Sequence, residues 1–344
     1  MYKVCIRSYT FNHAPYIEDA MNGFVMQETD FPFVATIVDD ASTDETPHVI
    51  VSYFERYFDT NDSSLAYRED TDFGTVLFAR HKNNSNCYFA IVLLNENHHS
   101  IKKSKRPYLS RWINDVPYIA ICEGDDYWTD PLKLQKQIDY LNNNQDCSLC
   151  VHACNWLIGD ELHQVGYSKS ISSDLDVKEL IGIGASSFAT ASFVFRSELN
   201  CIYPKWRKKA NVGDFPLQIL CGLHGVVHYL PDNMCVYRFQ SNGSWSSGIF
   251  ATEASTAFHK NKIEWMNLLD EETHHTYQKE IYHQLFSSFC FLYTHGEIGF
   301  GEYALAGWKS KRFHKGRLIK DWLFVSFRPL FHALKLIYSK FKSE

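Results

Sequence analysis

The 344-residue sequence lacks both glycine-rich fingerprints by which many α/β proteins bind phosphate. It contains no G-x-G-x-x-G run and no G-x-x-x-x-G-K-[ST] run. These absences exclude a fingerprint dinucleotide site and a Walker-type phosphate loop. If the chain binds phosphate groups, their charge must be neutralised in another way.

Long apolar runs are also missing. No stretch approaches the roughly 20 apolar residues of a membrane span, and Arg7 interrupts the apolar start before a signal-peptide core can form. We therefore expect a cytoplasmic protein whose ten cysteines are reduced thiols. Cys147 and Cys150 have zinc-type spacing but no second ligand pair, so a packed strand is the favoured interpretation.

The charge is uneven along the chain. The net charge is −6, yet residues 309–344 carry ten Lys and Arg against Asp321 and Glu344, a local net charge of +8. Apolar residues from Leu318 to Phe341 form a wide stripe among these bases, with a kink expected at Pro329. Such a basic amphipathic segment favours contact with the anionic inner face of a membrane. The alternative is a helix packed on the body of the protein, with its lysines solvated.

The first sixty residues predict a β-α-β-α unit. A strand over Lys3–Tyr9 precedes a helix opened by Pro15, and the buried strand Phe33–Val38 ends at two aspartates. Ser42 and Glu45 have the spacing of a capping box for the second helix. This order is typical of a doubly wound sheet.

Residues 59–116 give no clear secondary-structure pattern. Their basic run at 102–106 is either a solvated surface or a phosphate-facing loop. Order returns with a strand over Pro117–Cys122. Further strands are predicted at 147–156, 189–196, 225–230 and 234–239, and helical periodicity from about residue 255.

Two acidic clusters follow predicted strands: Asp39-Asp40 and Glu123-Gly124-Asp125-Asp126. In open α/β sheets, ligands bind at the carboxyl ends of the strands. Three acids within four residues repel one another unless a cation lies among them. A divalent cation held by one or two carboxylates, with substrate phosphates completing its shell, meets that need. An exposed turn is the alternative, but the preceding five-residue apolar strand favours a metal site.

Three segments are recognisable in order and spacing: Tyr9-Thr10-Phe11-Asn12-His13, Val38–Asp44, and Glu123–Trp128. Together they resemble the inverting family 2 glycosyltransferases. The longer run Glu123–Gln137 resembles the branch that builds bacterial surface polysaccharides. The resemblance covers residues 1 to about 60 and 108 to about 250. It implies a GT-A fold, which is Rossmann-like α/β with a mostly parallel central sheet. We place this domain at residues 1–250, followed by a helical C-terminal extension at 251–344.

The resemblance also implies roles for the residues of the nucleotide-sugar site. Asp40 would read the nucleobase, framed by Tyr9 and Thr10. Glu123 and Asp125 match the family's D-x-D, with Glu in place of the first Asp. Asp125 would bridge the ribose and the metal, and Asp126 would lie closest to the cation, Mn²⁺ or Mg²⁺.

Two later segments complete the implied site. Gly213-Asp214-Phe215-Pro216-Leu217 matches the position of the general base, so Asp214 is the candidate catalytic residue; by itself the segment is equally a helix-capping turn. Arg238 would bind the diphosphate, with a structural strand-end arginine as the alternative. Gln240 stands where the family often has a histidine, which predicts weaker metal binding.

The implied activity is transfer of a sugar from a nucleoside-diphosphate sugar, by default a UDP-sugar, to a glycan or lipid-linked acceptor. Guanosine and thymidine donors remain open, and no nucleic-acid partner is expected. A metal-dependent phosphoryl-transfer enzyme and a non-catalytic nucleotide-sugar-binding module are the alternatives.

Overall fold

The computed structural model describes residues 1–62, 65–164, 166–167, 169, 172–239 and 252–310. The chain divides into two compact units. The first comprises Met1–Ile202 and the segment that starts at Asp214. The second comprises Tyr203–Gly213 and the helices from residue 252 onward. The boundary expected at residue 250, Gln240 and the basic stripe from Leu318 to Phe341 lie outside the described residues.

The first unit contains one mixed sheet and the helices that cover it. Its strands are β1 Val4–Thr10, β2 Phe33–Asp39, β3 Tyr67–Thr71, β4 Gly74–Arg80, β5 Cys87–Leu94, β6 Tyr118–Ile121, β7 Tyr127–Trp128, β8 Cys147–Ile158, β9 Glu161–Gln164, β10 Ser173–Leu175, β11 Val194–Arg196 and β12 Val226–Arg238. Its helices are α1 Ile17–Val25, α2 Thr46–Tyr57, α3 Arg106–Ile113, α4 Lys133–Asn143, α5 Val177–Ile183 and α7 Asp214–His224.

The sheet order is β10-β12-β8-β11-β6-β1-β2-β5-β4-β3. The pairs β6-β1, β1-β2, β2-β5 and β8-β12 are parallel. β11 runs antiparallel to both β6 and β8, so β8 and β12 point the same way as the central strands. The carboxyl ends of β1, β2, β6 and β12 therefore lie along one edge. The predicted α/β class with a mostly parallel centre is confirmed.

The central strands have the apolar character of strands buried on both faces. Every residue of β2 is buried, and so is every residue of β6. The apolar stripe of α1 packs into the same core, with Ile17, Met21 and Phe24 fully buried. Parallel strands that are covered by helices on both faces are largely apolar. This pattern is why β2 and β6 could be predicted from the sequence.

Several local predictions differ from the structure. Residues 59–116 hold β3, β4, β5 and α3, and β5 pairs directly with β2. The two strands expected at 225–230 and 234–239 are one strand, β12, whose register against β8 shifts between Leu230 and Cys235. A shift of this kind keeps a strand continuous while the polar segment 231–233 interrupts its apolar pattern.

The second unit contains α6 Lys205–Lys209, α8 Thr252–Glu272, α9 Gln278–Thr294 and α10 Phe300–Lys309. α6 packs on α8, where Trp206 and Trp265 are buried with their ring centroids 6.2 Å apart. α9 packs on α8 and α10. The predicted helical C-terminal region is confirmed over the described part, in which no helix has the length and apolarity to cross a membrane.

Candidate active site

Most of the predicted site residues come together where β1, β2 and β6 end. Thr10 pairs with Asp39 in the register of β1 and β2, and the amide of Asp40 donates to the Thr10 carbonyl at 2.9 Å. The amide of Gly124, beyond β6, donates to the Tyr9 carbonyl at 2.9 Å. The two acidic clusters thus follow β2 and β6, the two strands that flank β1, at one edge of the sheet, as their sequence positions predicted.

Glu123 makes a structural contact that the shorter side chain of an aspartate would reach less easily. Its Oε2 accepts a hydrogen bond from the amide of Tyr9 at 3.1 Å, which ties the end of β6 to β1. Burial raises the pKa of Glu123 to about 7, against the opposing effect of Arg7 and the Tyr9 amide. Gly124 follows because a Cβ there would lie 2.7 Å from Thr10 Cβ and Oγ1. The glycine of this motif is therefore required by packing against β1.

The loops after β1 and β2 brace each other. Asn12 and Ala41 have φ of 56° and 57°, the left-handed region that is costly for residues with a side chain. Asn12 donates its amide to Ser42 Oγ at 2.8 Å, and Ser42 donates that hydroxyl to Asp39 Oδ1 at 2.5 Å. The predicted capping box is therefore wrong: Ser42 is engaged with the β1 loop, and α2 begins at Thr46 without a side-chain cap at Glu45.

Asp40 is almost fully buried and holds a loop of the region that the sequence left unassigned. Its carboxylate accepts the amides of His98 and His99 at 2.8 and 3.0 Å and pairs with Lys105 Nζ at 2.5 Å. Burial alone would raise the pKa of Asp40, but Lys105 and the two amides hold it below its ordinary value. Lys105 Nζ also lies 5.3 Å from the centroid of the Tyr9 ring.

Lys105 is a site residue that the sequence did not single out. The basic run at 102–106 does not share one environment. Lys103 pairs with the exposed Glu96, whereas Lys105 turns inward to Asp40. The run gave no signal for this difference, because the partner is 65 positions away in the chain.

Asp125 and Asp126 are both buried, and Arg238 at the end of β12 contacts both. The Arg238 amide donates to Asp126 Oδ1 at 2.9 Å, and its Nη1 donates to the Asp125 carbonyl at 2.7 Å. Its Nη2 pairs with Asp19 of α1, and its guanidinium lies 4.5 Å from the Tyr127 ring centroid. Arg238 thus holds the acidic turn (residues 123–126) through its own amide and Nη1, while Nη2 connects it to α1.

The pKa of Asp126 depends both on its burial and on the neighbouring carboxylate of Asp125. Burial raises the pKa of Asp126 well above its ordinary range, and the charge of Asp125 raises it further. The Arg238 amide opposes this shift. Adjacent buried carboxylates of this kind fit a site that gains a cation when it functions.

His13 joins the same site from the β1 loop. Its Nε2 lies 3.9 Å from Asp125 Oδ2, and its Nδ1 is buried without a hydrogen-bond partner in the described part of the chain. Burial lowers the pKa of His13, although the charges of Asp125 and Asp44 oppose that shift. The sequence contained His13 within a recognised segment, but only the fold brings it to Asp125.

The rest of the Glu123–Gln137 signature is structural support beneath the acidic turn. Trp128 is buried and donates Nε1 to the Ala191 carbonyl at 2.9 Å. Lys133, fully buried, lies 3.9 Å from the centroid of the Trp128 ring and donates to Gln137 Oε1 at 2.8 Å. Burial lowers the pKa of Lys133 to about 8. Gln137 in turn donates to the carbonyls of Cys150 and Ser192, both at 2.8 Å.

Asp214 is the first residue of α7 and is half-buried. Burial raises its pKa, and the amide of Phe215 opposes the shift. α7 packs on β8 and β12 and connects to β12 through Gly225 alone, where a Cβ would lie 2.4 Å from the Asp146 carbonyl oxygen. With so short a connection, α7 must run back along the strands. Its first residue therefore points toward the edge at which β12 ends.

The comparisons with known proteins come from sequence and from structure. No family model matches the sequence. The uncharacterized proteins Mb1547 of Mycobacterium bovis and Rv1520 of Mycobacterium tuberculosis are each 30% identical over 243 residues. That alignment covers 70% of this chain and 60% of theirs, so the chain spans less than two thirds of the length of these relatives.

Among solved structures, residues 1–349 of S. aureus TarS in complex with UDP-GlcNAc are similar, with a TM-score of 0.50 and 14% identity. The match covers 95% of this chain and 92% of that one. At this identity the likeness concerns the fold, and the predicted GT-A fold class is confirmed.

Proposed function

We propose that the protein is an inverting glycosyltransferase that moves a sugar from a nucleoside-diphosphate sugar, by default a UDP-sugar, to a glycan or lipid-linked acceptor. Surface polysaccharide synthesis is the process to which we assign it. The observation that carries the proposal is the meeting of Asp40, the acidic turn at 123–126 and Arg238 at one edge of a parallel sheet. Binding of UDP-GlcNAc by the structurally similar TarS supports the choice of donor.

The nucleoside would lie over the ends of β1 and β2. Tyr9 and Thr10 frame this position, and Lys105 brings a positive charge beside the Tyr9 ring. Asp40 is held by two amides and an ion pair. We therefore expect it to act on nucleobase recognition partly by fixing the conformation of the 98–105 loop. Side chains fixed in this way are suited to binding a rigid base at low entropic cost.

The reaction needs a base on the acceptor side. Asp214 would take the proton of the acceptor hydroxyl as its oxygen bonds to the anomeric carbon and the bond to the nucleoside diphosphate breaks. A carboxylate with a raised pKa accepts a proton more readily at neutral pH than an ordinary aspartate. The leaving diphosphate gains negative charge in the same step, and the positive charge of Arg238 would stabilise it.

A divalent cation, Mn²⁺ or Mg²⁺, fits the acidic turn. Asp125 and Asp126 supply hard oxygen ligands in a buried position. Among the described residues, no group of three or more His, Cys, Asp or Glu side chains forms a metal site by itself. The donor's diphosphate would therefore supply the remaining ligands, and the cation would act as a Lewis acid on the departing diphosphate.

A screen of nucleotide sugars tests the function. We expect UDP-sugars to raise the melting temperature in the presence of Mn²⁺ and to be slowly hydrolysed to UDP, because the site binds the donor diphosphate through the cation. Guanosine and thymidine donors in the same screen test the base preference. The measurements are thermal shift and UDP release.

Each alternative function predicts a different pattern in this screen. A phosphoryl-transfer enzyme would release inorganic phosphate from a phosphomonoester and leave UDP-sugars intact. A binding module would be stabilised by the nucleotide sugar without any turnover. Either pattern would contradict the proposed transferase activity.

We also propose that the chain acts at the inner face of a membrane as a cytoplasmic, peripherally bound protein. Leu305 and Trp308 are 52% and 68% exposed on α10, directly before the basic segment 309–344. A tryptophan beside basic residues is typical of segments that lie in the membrane interface. The alternative, packing of the segment on the protein body, concerns residues outside those described.

Vesicle co-sedimentation tests this contact. We expect the double substitution Leu305→Ser and Trp308→Ser to weaken binding to phosphatidylglycerol vesicles by roughly tenfold or more, because it removes two apolar side chains from the interface. Leu162→Ser, at a leucine 56% exposed in the first unit, is the matched control and should bind like the wild type. Equal binding by the double variant and the control would exclude α10 from the contact.

A further inference from the structure

The ring of His13 is buried beside Asp125, and its hydrogen-bonding capacity is not satisfied by the described residues. Its side chain is about nine-tenths buried, yet Nδ1 has no hydrogen-bond partner among the residues that the structure describes. Its Nε2 lies 3.9 Å from Asp125 Oδ2, which is too long for a hydrogen bond. Nδ1 is thus an orphaned buried atom, and Nε2, the nitrogen that faces Asp125, is the one that a bound ion could reach.

The backbone of His13 is held firmly where it is. Its amide donates to Thr46 Oγ1 at 2.8 Å, and the next amide, of Ala14, donates to Asp44 Oδ2 at 3.1 Å. Asn12, on the other side, has a φ of 56° and accepts the Thr43 amide at 2.8 Å. Two loops therefore fix the imidazole opposite the acidic turn.

The separation of the two side chains fits a shared ion. Protein ligands lie about 2.1 Å from a bound divalent metal, so two ligands of one ion are separated by at most about 4.2 Å. The 3.9 Å between Nε2 and Oδ2 falls within that limit. Asp126 accepts the Arg238 amide through Oδ1, so a further carboxylate ligand from Asp126 would be its Oδ2.

We propose that His13 Nε2 and Asp125 Oδ2 are two protein ligands of a single divalent cation. The proposal rests on the proposed function, in which the donor diphosphate completes the shell. It adds an imidazole that the resemblance does not supply. A nitrogen ligand favours a transition-metal ion such as Mn²⁺ over Mg²⁺, which prefers oxygen ligands only.

Pulsed electron paramagnetic resonance of bound Mn²⁺ tests the pair directly. The full-length protein is loaded with Mn²⁺, alone and with UDP, and nitrogen coupling is recorded with natural-abundance and ¹⁵N-histidine protein. We expect a histidine nitrogen coupling in the wild type that changes with the isotope. His13→Ala should lose the coupling and weaken Mn²⁺ binding at least about tenfold. His48→Ala, at an exposed histidine of α2, is the matched control and should retain both.

The outcomes separate the two proposals. UDP and Mn²⁺ binding without histidine coupling in the wild type would overturn the ligand pair and leave the donor proposal intact. Histidine coupling without any UDP binding would support the pair and overturn the donor proposal. Because the wild-type spectrum needs no variant, a poorly folded His13→Ala would not obstruct the test; His13→Gln gives a second variant of similar volume.

Discussion

Asp214→Asn is expected to lower the turnover number for UDP-sugar consumption by about 10²- to 10⁴-fold while UDP affinity changes by less than about twofold. Asparagine keeps the shape of the side chain, but it cannot accept the acceptor's proton. The half-buried position at the start of α7, with its raised pKa, is the reason for this choice. Initial rates of UDP release and calorimetric titration with UDP measure the two effects.

The chain offers a matched control for Asp214→Asn. Asp176 caps α5, where its side chain accepts the Glu179 amide at 2.8 Å. Asp176→Asn makes the same chemical change at another helix start in the same unit, so it should leave turnover unchanged. Equal turnover in Asp214→Asn and wild type would remove Asp214 from catalysis. A parallel loss of turnover and UDP affinity would instead indicate a damaged donor site.

Arg238→Ala is expected to lower kcat/KM by about 10- to 100-fold, as the loss of residues that orient metal ligands commonly does. Its guanidinium connects the Asp125 carbonyl to Asp19 and lies over Tyr127, so truncation frees the acidic turn on one side. We also expect the free energy of unfolding to fall by about 1–2 kcal/mol, since Asp19 is half exposed and its pair is partly screened. Steady-state rates and urea denaturation measure these changes.

Arg238→Lys and a distant arginine complete that comparison. A lysine has one nitrogen and cannot reach two partners in the geometry of a guanidinium, so Arg238→Lys should recover little of the activity. Arg111 makes a similar two-nitrogen contact with Glu69, but on an exposed surface, so Arg111→Lys should have almost no effect. A large rise in the UDP dissociation constant without metal would show that Arg238 contacts the diphosphate itself, rather than positioning the turn.

Local pattern was sufficient for the core of the fold. β2 and β6 are short, largely apolar strands that lead into acidic residues, β1 alternates weakly, and α1 has a clean apolar stripe. These signals exist because parallel strands covered on both faces must be apolar throughout, and because an amphipathic helix must bury one face. The same patterns predict, from sequence alone, that both acidic clusters lie at the ligand-binding edge.

Pairings between distant segments were not predictable in this way. The Ser42 and Glu45 spacing satisfied the rule for a capping box, yet Ser42 bonds Asn12 and Asp39 instead. Cys87–Leu94 is an apolar run, but nothing in its own pattern shows that it pairs with β2. In the sequence, Lys105 cannot be distinguished from its neighbouring basic residues, and only the fold places it beside Asp40. Local rules cannot rank partners that are dozens of residues apart.

The residues that could carry charge at the sheet edge are identifiable from the sequence: Asp40, Glu123, Asp125, Asp126 and Arg238. For the four acids the reason is their position after apolar strands, because a strand fixes where its last side chains emerge; for Arg238 it is the family resemblance of its segment. What those residues contact depends on the tertiary structure. It placed Glu123 on the Tyr9 amide, Arg238 on the acidic turn and His13 opposite Asp125, since each contact joins loops that adopt their shape only when packed together.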